Sequence, residues 1–264
     1  MKNNTIIEVN DVSMRFNMAA EKTDTFKEYL VKLLRGQLNF TEFWALKHVS
    51  FDIKRGESVA LVGQNGSGKS TMLKIIAGVM YPSSGRVTVN GDIAPLIELG
   101  AGFDPELTAR ENIFLNGAVL GHDRKFMEEH FDEIIEFSEL QEFIDVPVKN
   151  FSSGMVARLG FAIATLVRAE ILVVDEILAV GDYRFQEKCQ KRMEDMMANG
   201  TTVLFVSHSA EQVVKICKRA IWINHGEVMA DGPSREVMRK YQAYMGHEEG
   251  VKVNDKWDQD ESDD

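Results

Sequence analysis

Eight consecutive residues, Gly63, Gln64, Asn65, Gly66, Ser67, Gly68, Lys69 and Ser70, constrain this chain more than any other stretch. They fit the pattern GxxxxGK[ST]. An apolar run at 58–62 reads as a buried strand ahead of them, and 70–77 reads as a helix behind them that stops at Gly78. Strand, glycine loop and helix N-terminus in that order make a cradle for phosphate. The glycines let backbone N–H groups curl around phosphate oxygens, and the helix end adds a favourable partial charge. In such a loop Lys69 reaches the β- and γ-phosphates of a nucleoside triphosphate, and the Ser70 hydroxyl ligates Mg2+. A bare glycine-rich turn would not need those flanks.

The rest of the chain is patterned to support that loop. Apolar strand-like and periodic helix-like segments alternate at 171–174, 185–197, 201–206, 210–218 and 220–223, with a last helix from Ser234. Such alternation predicts a largely parallel sheet with helices on both faces. Short strands are expected at 6–9 and 49–53, and Asn90-Gly91 between 86–89 and 92–97 predicts a hairpin. The texture from 108 to 148 is helical. Thr108-Ala-Arg-Glu111 has the form of a capping box, Gly121 ends that helix, and a longer periodic segment runs from about 124 to 137. A second capping box at 25–28, followed by Phe26, Tyr29, Leu30, Leu33 and Leu34 at helical spacing, predicts an amphipathic helix inserted at about 22–38. It lies on its own domain or faces a partner or a membrane.

Composition excludes several classes. With 44% hydrophobic and 27% charged residues over 264 positions, the chain has the make-up of a soluble globular protein of one domain, or of one with a sizeable insertion. Its apolar runs fall far short of the ~20 residues that cross a bilayer, and no secretory leader is read at the start. Cys189 and Cys217 are isolated and read as reduced thiols. Of the formal charge of −11, the stretch 248–264 carries −6, leaving −5 for the rest. That tail, taken as 247–264, reads as solvated and disordered, and the acidic body argues against a nucleic-acid partner.

A phosphate loop leaves kinases, GTPases, recombinases and transport ATPases open. Val173-Val174-Asp175-Glu176 narrows the choice by ending a buried strand with two acids, where open α/β sheets place their ligands. Asp175 is expected to hold Mg2+ and Glu176 to polarise the attacking water.

At this point the sequence resembles the ATP-binding subunits of ABC transporters. Phe151-Ser-Ser-Gly-Met155 stands where that family carries its signature, with 23 residues from Ser152 to Asp175 as in the family. Ser152 and Gly154 match; Ser153 and Met155 depart from the usual Gly and Gln, and the segment is expected to open a helix over 154–168. Asp182, in Ala179-Val-Gly-Asp, matches the D-loop aspartate, and His208 matches the switch histidine that contacts the γ-phosphate. The resemblance spans about residues 6–232. It implies an aromatic on adenine, for which Phe16 matches by position and Trp44 competes. The family's Q-loop glutamine has no counterpart, and Glu98 stands nearest to it as a metal contact.

The fold expected is therefore α/β: an ABC-type P-loop NTPase core with a mostly parallel sheet, an antiparallel β subdomain and an inserted helical subdomain at about 108–150, all within 1–246. The resemblance implies ATP and Mg2+ as ligands, Glu176, His208 and Lys69 as catalytic residues, and Gly63 to Thr71 gripping phosphate. It also implies a head-to-tail dimer in which Ser152, Ser153 and Gly154 complete the site of a second copy. The run 98–112, the Ser-Ser-Gly-Met signature and the inserted helix resemble the branch that exports polysaccharides and teichoic acids. That branch implies a separate membrane-spanning permease and a peripheral place on the cytoplasmic face of the bacterial inner membrane. The carbohydrate-binding domain that some members add is expected to be absent. Three rivals remain: a non-transport ATPase acting on nucleic acid or ribosomes, a silent regulatory module, and an ABC subunit for another substrate.

Overall fold

A computed structural model describes residues 4–19, 40–96, 99–166, 169–175, 182–207 and 209–249. The predicted inserted helix at 22–38 and residues 250–264 of the acidic tail lie outside them.

Two sheets form the frame. Strands β1 (Thr5–Ala19), β2 (Phe40–Lys54) and β4 (Ser84–Val89) make an antiparallel sheet in the order β2-β1-β4. The larger sheet runs β5-β6-β7-β3-β8-β9, from β3 (Ser58–Val62), β5 (Ile93–Leu96), β6 (Ile171–Asp175), β7 (Thr202–Val206), β8 (Arg219–Asn224) and β9 (Glu227–Pro233). Five of its strands are parallel, and β9 pairs antiparallel to β8 at the edge. The mostly parallel α/β core expected from the alternation is thus present. Its central strands are apolar throughout because both faces are covered.

Period-two alternation sorts those side chains into two cores. Ala60, Val62, Leu172, Val174, Val203 and Phe205 face α6 (Tyr183–Ala198), α7 (Ala210–Ile216) and α8 (Ser234–Glu249), packing on Phe185, Cys189, Met193, Val213 and Val237. Their neighbours Val59, Leu61, Val173, Leu204 and Ile221 face the other way. They enclose α1 (Lys69–Ile76), through Met72, Leu73 and Ile76, against Ile7, Val9, Leu46 and Ile53 of the antiparallel sheet. The cysteines sit in the first core, where burial pushes both thiols up to about 12.

A third cluster belongs to the helical region. Helices α2 (Ala109–Val119), α3 (Arg124–Glu129) and α4 (Phe131–Ser138) pack Ile113, Met127 and Ile134 on Leu159 and Ile163 of α5 (Ser153–Ala164). The Thr108 capping box forms as expected: Thr108 Oγ1 accepts from Glu111 N at 3.2 Å, and Thr108 N donates to Glu111 Oε2 at 2.8 Å. Gly121 follows the end of α2 with φ 86°.

Three expectations need correction. The periodic segment 124–137 is two helices, because His130 leaves helical geometry at φ −109°, ψ 5° while its ring Nδ1 contacts Phe126 O at 2.9 Å. The helix that opens at the signature begins at Ser153 and ends at Ala164. Thr165 caps it, its hydroxyl donating back to Phe161 O at 2.8 Å. The Asn90-Gly91 hairpin does not exist: β4 pairs with β1, and β5 pairs in parallel with β6 in the other sheet. Asn90 N donates to Ile6 O at 2.8 Å, so the chain is still bound to β1 where a hairpin would turn. The two-residue hairpin lies instead at His225-Gly226, between β8 and β9, with φ of 45° and 82°, the signature of a type I′ turn.

Candidate functional site

The loop 63–68 joins β3 to α1. Gly68 takes the N-cap position at φ 112°, and no side chain caps the helix. The first N–H groups of α1 are therefore available to an anion rather than consumed by a hydroxyl or carboxylate. Elsewhere Thr108, Ser152, Asp182 and Ser209 do cap α2, α5, α6 and α7 with side-chain oxygens. The Lys69 side chain is buried in the loop, and its ammonium donates to Gly63 O at 2.7 Å and Gln64 O at 2.8 Å.

Backbone contacts fix this loop in place. Gly226 N donates to Ser67 O at 2.9 Å, and Lys47 N donates to Gly226 O at 2.8 Å, so the β8–β9 turn bridges the loop and β2. Both glycines crowd one carbonyl. A Cβ on Gly68 would lie 2.5 Å from Ala45 O, and one on Gly226 would lie 2.8 Å from it. The C-terminal helix reaches the loop as well, with Gln64 Nε2 donating to Met245 Sδ at 2.9 Å. On the same helix, Tyr241 and Tyr244 pack on Trp222.

A cleft of about 240 Å3 opens over the loop. It brings together Asn65, Gly66, Gly68, Lys69, Ser70 and Thr71 with Asp175 from the end of β6 and, from β1 and β2, Phe16, Phe43 and Ala45. The register puts Phe16 and Trp44 on opposite faces of the strand pair. Phe16 pairs with Phe43, and Arg15 with Trp44, so successive residues face opposite ways. Trp44 turns from the cleft, with the Arg15 guanidinium 5.8 Å from its ring centre. Phe43 lines the cleft and was not anticipated. Only the β1–β2 pairing identifies it, and twenty intervening residues hide that pairing in the sequence.

The donor set suits a magnesium–nucleotide. Backbone N–H groups at the start of α1 and the lysine at the cleft are donors of the kind phosphate takes, while the buried Ser67 hydroxyl has no hydrogen-bond partner among the described residues. Ser70 and Asp175 share the cleft, and their oxygens are of the kind that could hold a hard cation. Glu176, Glu98 and His208 lie outside the described residues. Next to His208, Ser207 is buried and anchored, its hydroxyl donating to Gln212 Oε1 at 3.0 Å and accepting from Ser209 N at 3.1 Å.

Ser152, Ser153, Gly154 and Asp182 do not line this cleft. Ser152 caps α5, its Oγ accepting from Met155 N at 3.3 Å, which leaves the hydroxyl hydrogen for a ligand. Asp182 caps α6, accepting from Phe185 N at 3.0 Å, and pairs with Arg158. That backbone hydrogen bond, with the Arg158 charge, holds its carboxyl below the usual range. Arg158 also reaches Glu139 at 3.1 Å and lies 4.7 Å above the Phe185 ring.

Residues 46–179, just over half the chain, match the family described as ABC transporter. The chain belongs to that family. Similar proteins include the O-antigen export system ATP-binding protein RfbB of Klebsiella pneumoniae, 47% identical over 214 residues that span 81% of this chain and 85% of that one. The teichoic acids export ATP-binding protein TagH of Listeria innocua is 42% identical over 246 residues, 93% of this chain and 72% of its own. Among solved structures, an ATP-binding subunit of an ABC transporter aligns at TM-score 0.71 and 24% identity, covering 90% of this chain and 93% of that one. A dimeric ATP-binding cassette bound to ADP and Pi aligns at TM-score 0.69 and 24% identity, covering 87% and 99%. These two share the fold. As an ABC transporter ATPase, the chain binds ATP. No helix among the described residues is long and apolar enough to cross a membrane.

Proposed function

We propose that this ABC ATPase drives export of a lipid-linked cell-surface polymer, an O-antigen, capsule or teichoic acid, through a separate membrane-spanning subunit at the cytoplasmic face of the bacterial inner membrane. The observation that carries this reading is the similarity, at 47% and 42% identity, to ATP-binding proteins named for O-antigen and teichoic acid export, over most of each chain.

The cleft suggests how the chain works. Phe16 receives the adenine, while the loop N–H groups and Lys69 hold the β- and γ-phosphates. Mg2+, held by Ser70 and Asp175 with Glu98 as the further contact, supplies charge neutralisation when bound. Glu176, one residue beyond Asp175, takes the proton of the attacking water, and His208 steadies the γ-phosphate. Ser152, Ser153 and Gly154 open α5 away from this cleft, which supports a head-to-tail dimer in which they close the site of a second copy, with Asp182 beside the junction. ATP then acts as the ligand that favours the closed pair, and hydrolysis reopens it.

A surface for the membrane subunit is also at hand. A groove of about 240 Å3 lies between α1, α2 and α5, lined by Val79, Leu99, Ala101, Val119 and Leu120. Val79 and Val119 are each 68% exposed there, an apolar surface that suits a short helix from the permease.

Two experiments test the reading. Glu176→Gln is expected to bind ATP, lose turnover and accumulate as a dimer; wild-type ATPase rates in that variant would refute the assigned base. Deleting the chain from its host is expected to remove polymer from the cell surface and leave it lipid-linked inside. Wild type should restore it and Lys69→Ala should not. Unchanged surface polymer in the deletion strain would sink the export reading.

A further inference from the structure

The β1–β2 register carries one more residue into the nucleotide site. Phe16 and Phe43 are direct cross-strand partners, so their rings leave the same face of the sheet from Cβ atoms about 5 Å apart. Both line the cleft that holds Gly68, Ser70, Thr71 and Asp175. Phe43 is 44% exposed, a large apolar ring left open at the edge of a polar cleft. Its strand is not loose. Ala45, two residues on and facing the same way, is locked against the phosphate loop by the close approach of Gly68 and Gly226. The ring is thereby held at a set distance from the groups that grip the phosphates. One six-membered ring underlies about half of a bicyclic base; two rings side by side underlie both halves of a purine.

We propose that Phe43 is a base-stacking residue that, together with Phe16, gives this site its preference for purine over pyrimidine nucleotides. The inference rests on the reading of the cleft as the ATP site.

The test uses the full-length chain, with kcat and KM measured for ATP and CTP in wild type, Phe43→Ala, Phe43→Tyr and Trp44→Ala. Stacking of a base on an aromatic side chain corresponds to roughly tenfold in affinity. Phe43→Ala is accordingly expected to raise the KM for ATP about tenfold with kcat little changed, and to raise the KM for CTP less. Phe43→Tyr should restore the wild-type values, and Trp44→Ala, on the opposite face, should move neither. Inorganic tripolyphosphate, which has no base, should inhibit wild type and Phe43→Ala with the same constant. An unchanged ATP-to-CTP ratio of kcat/KM in Phe43→Ala overturns the proposal. So does a tripolyphosphate constant that worsens along with the KM for ATP, because the phosphate loop would then have been disturbed instead. Equal ATP hydrolysis by wild type and Lys69→Ala would take down the ATP-site reading itself, and Phe43 with it.

Discussion

The phosphate loop and the helical region are held in opposite ways. Around the loop, position is set by main chain against main chain: Gly226 N on Ser67 O, Lys47 N on Gly226 O, and two glycines closing on Ala45 O. Around α2 to α4, an apolar cluster on α5 is supplemented by long side chains that reach between elements. Lys188 donates to Phe137 O at 2.9 Å and Glu139 Oε1 at 3.1 Å, Arg192 reaches Glu133 at 2.6 Å, and Arg158 ties Glu139 to Asp182. Backbone contacts have one geometry and fail abruptly when displaced. Ion pairs on long arms accommodate movement, which suits the opening and closing proposed for the ATP-bound pair.

The largest effect should come from breaking the rigid side. Gly68 sits at φ 112°, and any Cβ there meets Ala45 O at 2.5 Å and Leu46 Cδ2 at 2.8 Å. Gly68→Ala must therefore push the loop off β2 or strain it. A displacement near 1 Å costs about 10²-fold in turnover, so ATPase activity should fall by about that factor while most of the fold survives. Near-normal activity in Gly68→Ala would show that the loop is as adaptable as the helical region.

The tie between the helical region and α6 should respond less. Arg158 is mostly buried and serves two carboxylates from different elements. Arg158→Ala leaves Glu139 and Asp182 without it and removes the guanidinium from the Phe185 ring. Both acids are more than half exposed and keep their water, so the loss is modest and is to be read as a lower urea midpoint. Arg158→Lys should recover part of that, since one ammonium cannot fork to both acids. A midpoint unmoved in Arg158→Ala would mean that the helical region is fastened by its apolar cluster and its other ties without help from Arg158.

The same contrast explains what the sequence revealed. Main-chain devices leave short, local signatures: GxxxxGK[ST] marks the loop, and Thr108 with Glu111 marks a cap. Long-range pairings leave none. Asn90-Gly91 has the chemistry of a turn, yet β1 and β6 claim the two strands beside it, and tertiary pairing wins. His225-Gly226 is the real hairpin turn, with a histidine where asparagine is the usual signal. Phe43 was hidden for the same reason, since it gains meaning only opposite Phe16. The break at His130 escaped because its apolar spacing runs unbroken across two helices.

The smallest effect belongs to the cap that opens the helical region. Thr108→Ala removes the hydroxyl that accepts from Glu111 N and should cost about 1 kcal/mol. Thr108→Ser should be close to wild type. The cap also has a pH signature. Hydrogen bonds from Thr108 hold the Glu111 carboxyl below its ordinary value of 4.5, and Lys188 does the same for Glu139. A carboxyl depressed on folding adds stability that is complete above the unfolded value and lost as pH falls through the folded one. Thermal unfolding should thus be flat in these two groups from pH 7 to about 5 and decline below about 4.5. Thr108→Ala should shrink the Glu111 share of that decline and leave the Glu139 share, whereas Glu139→Gln should do the reverse. Identical acid slopes in wild type and both variants would mean that the ionisation of these two carboxylates does not help to secure the helical region.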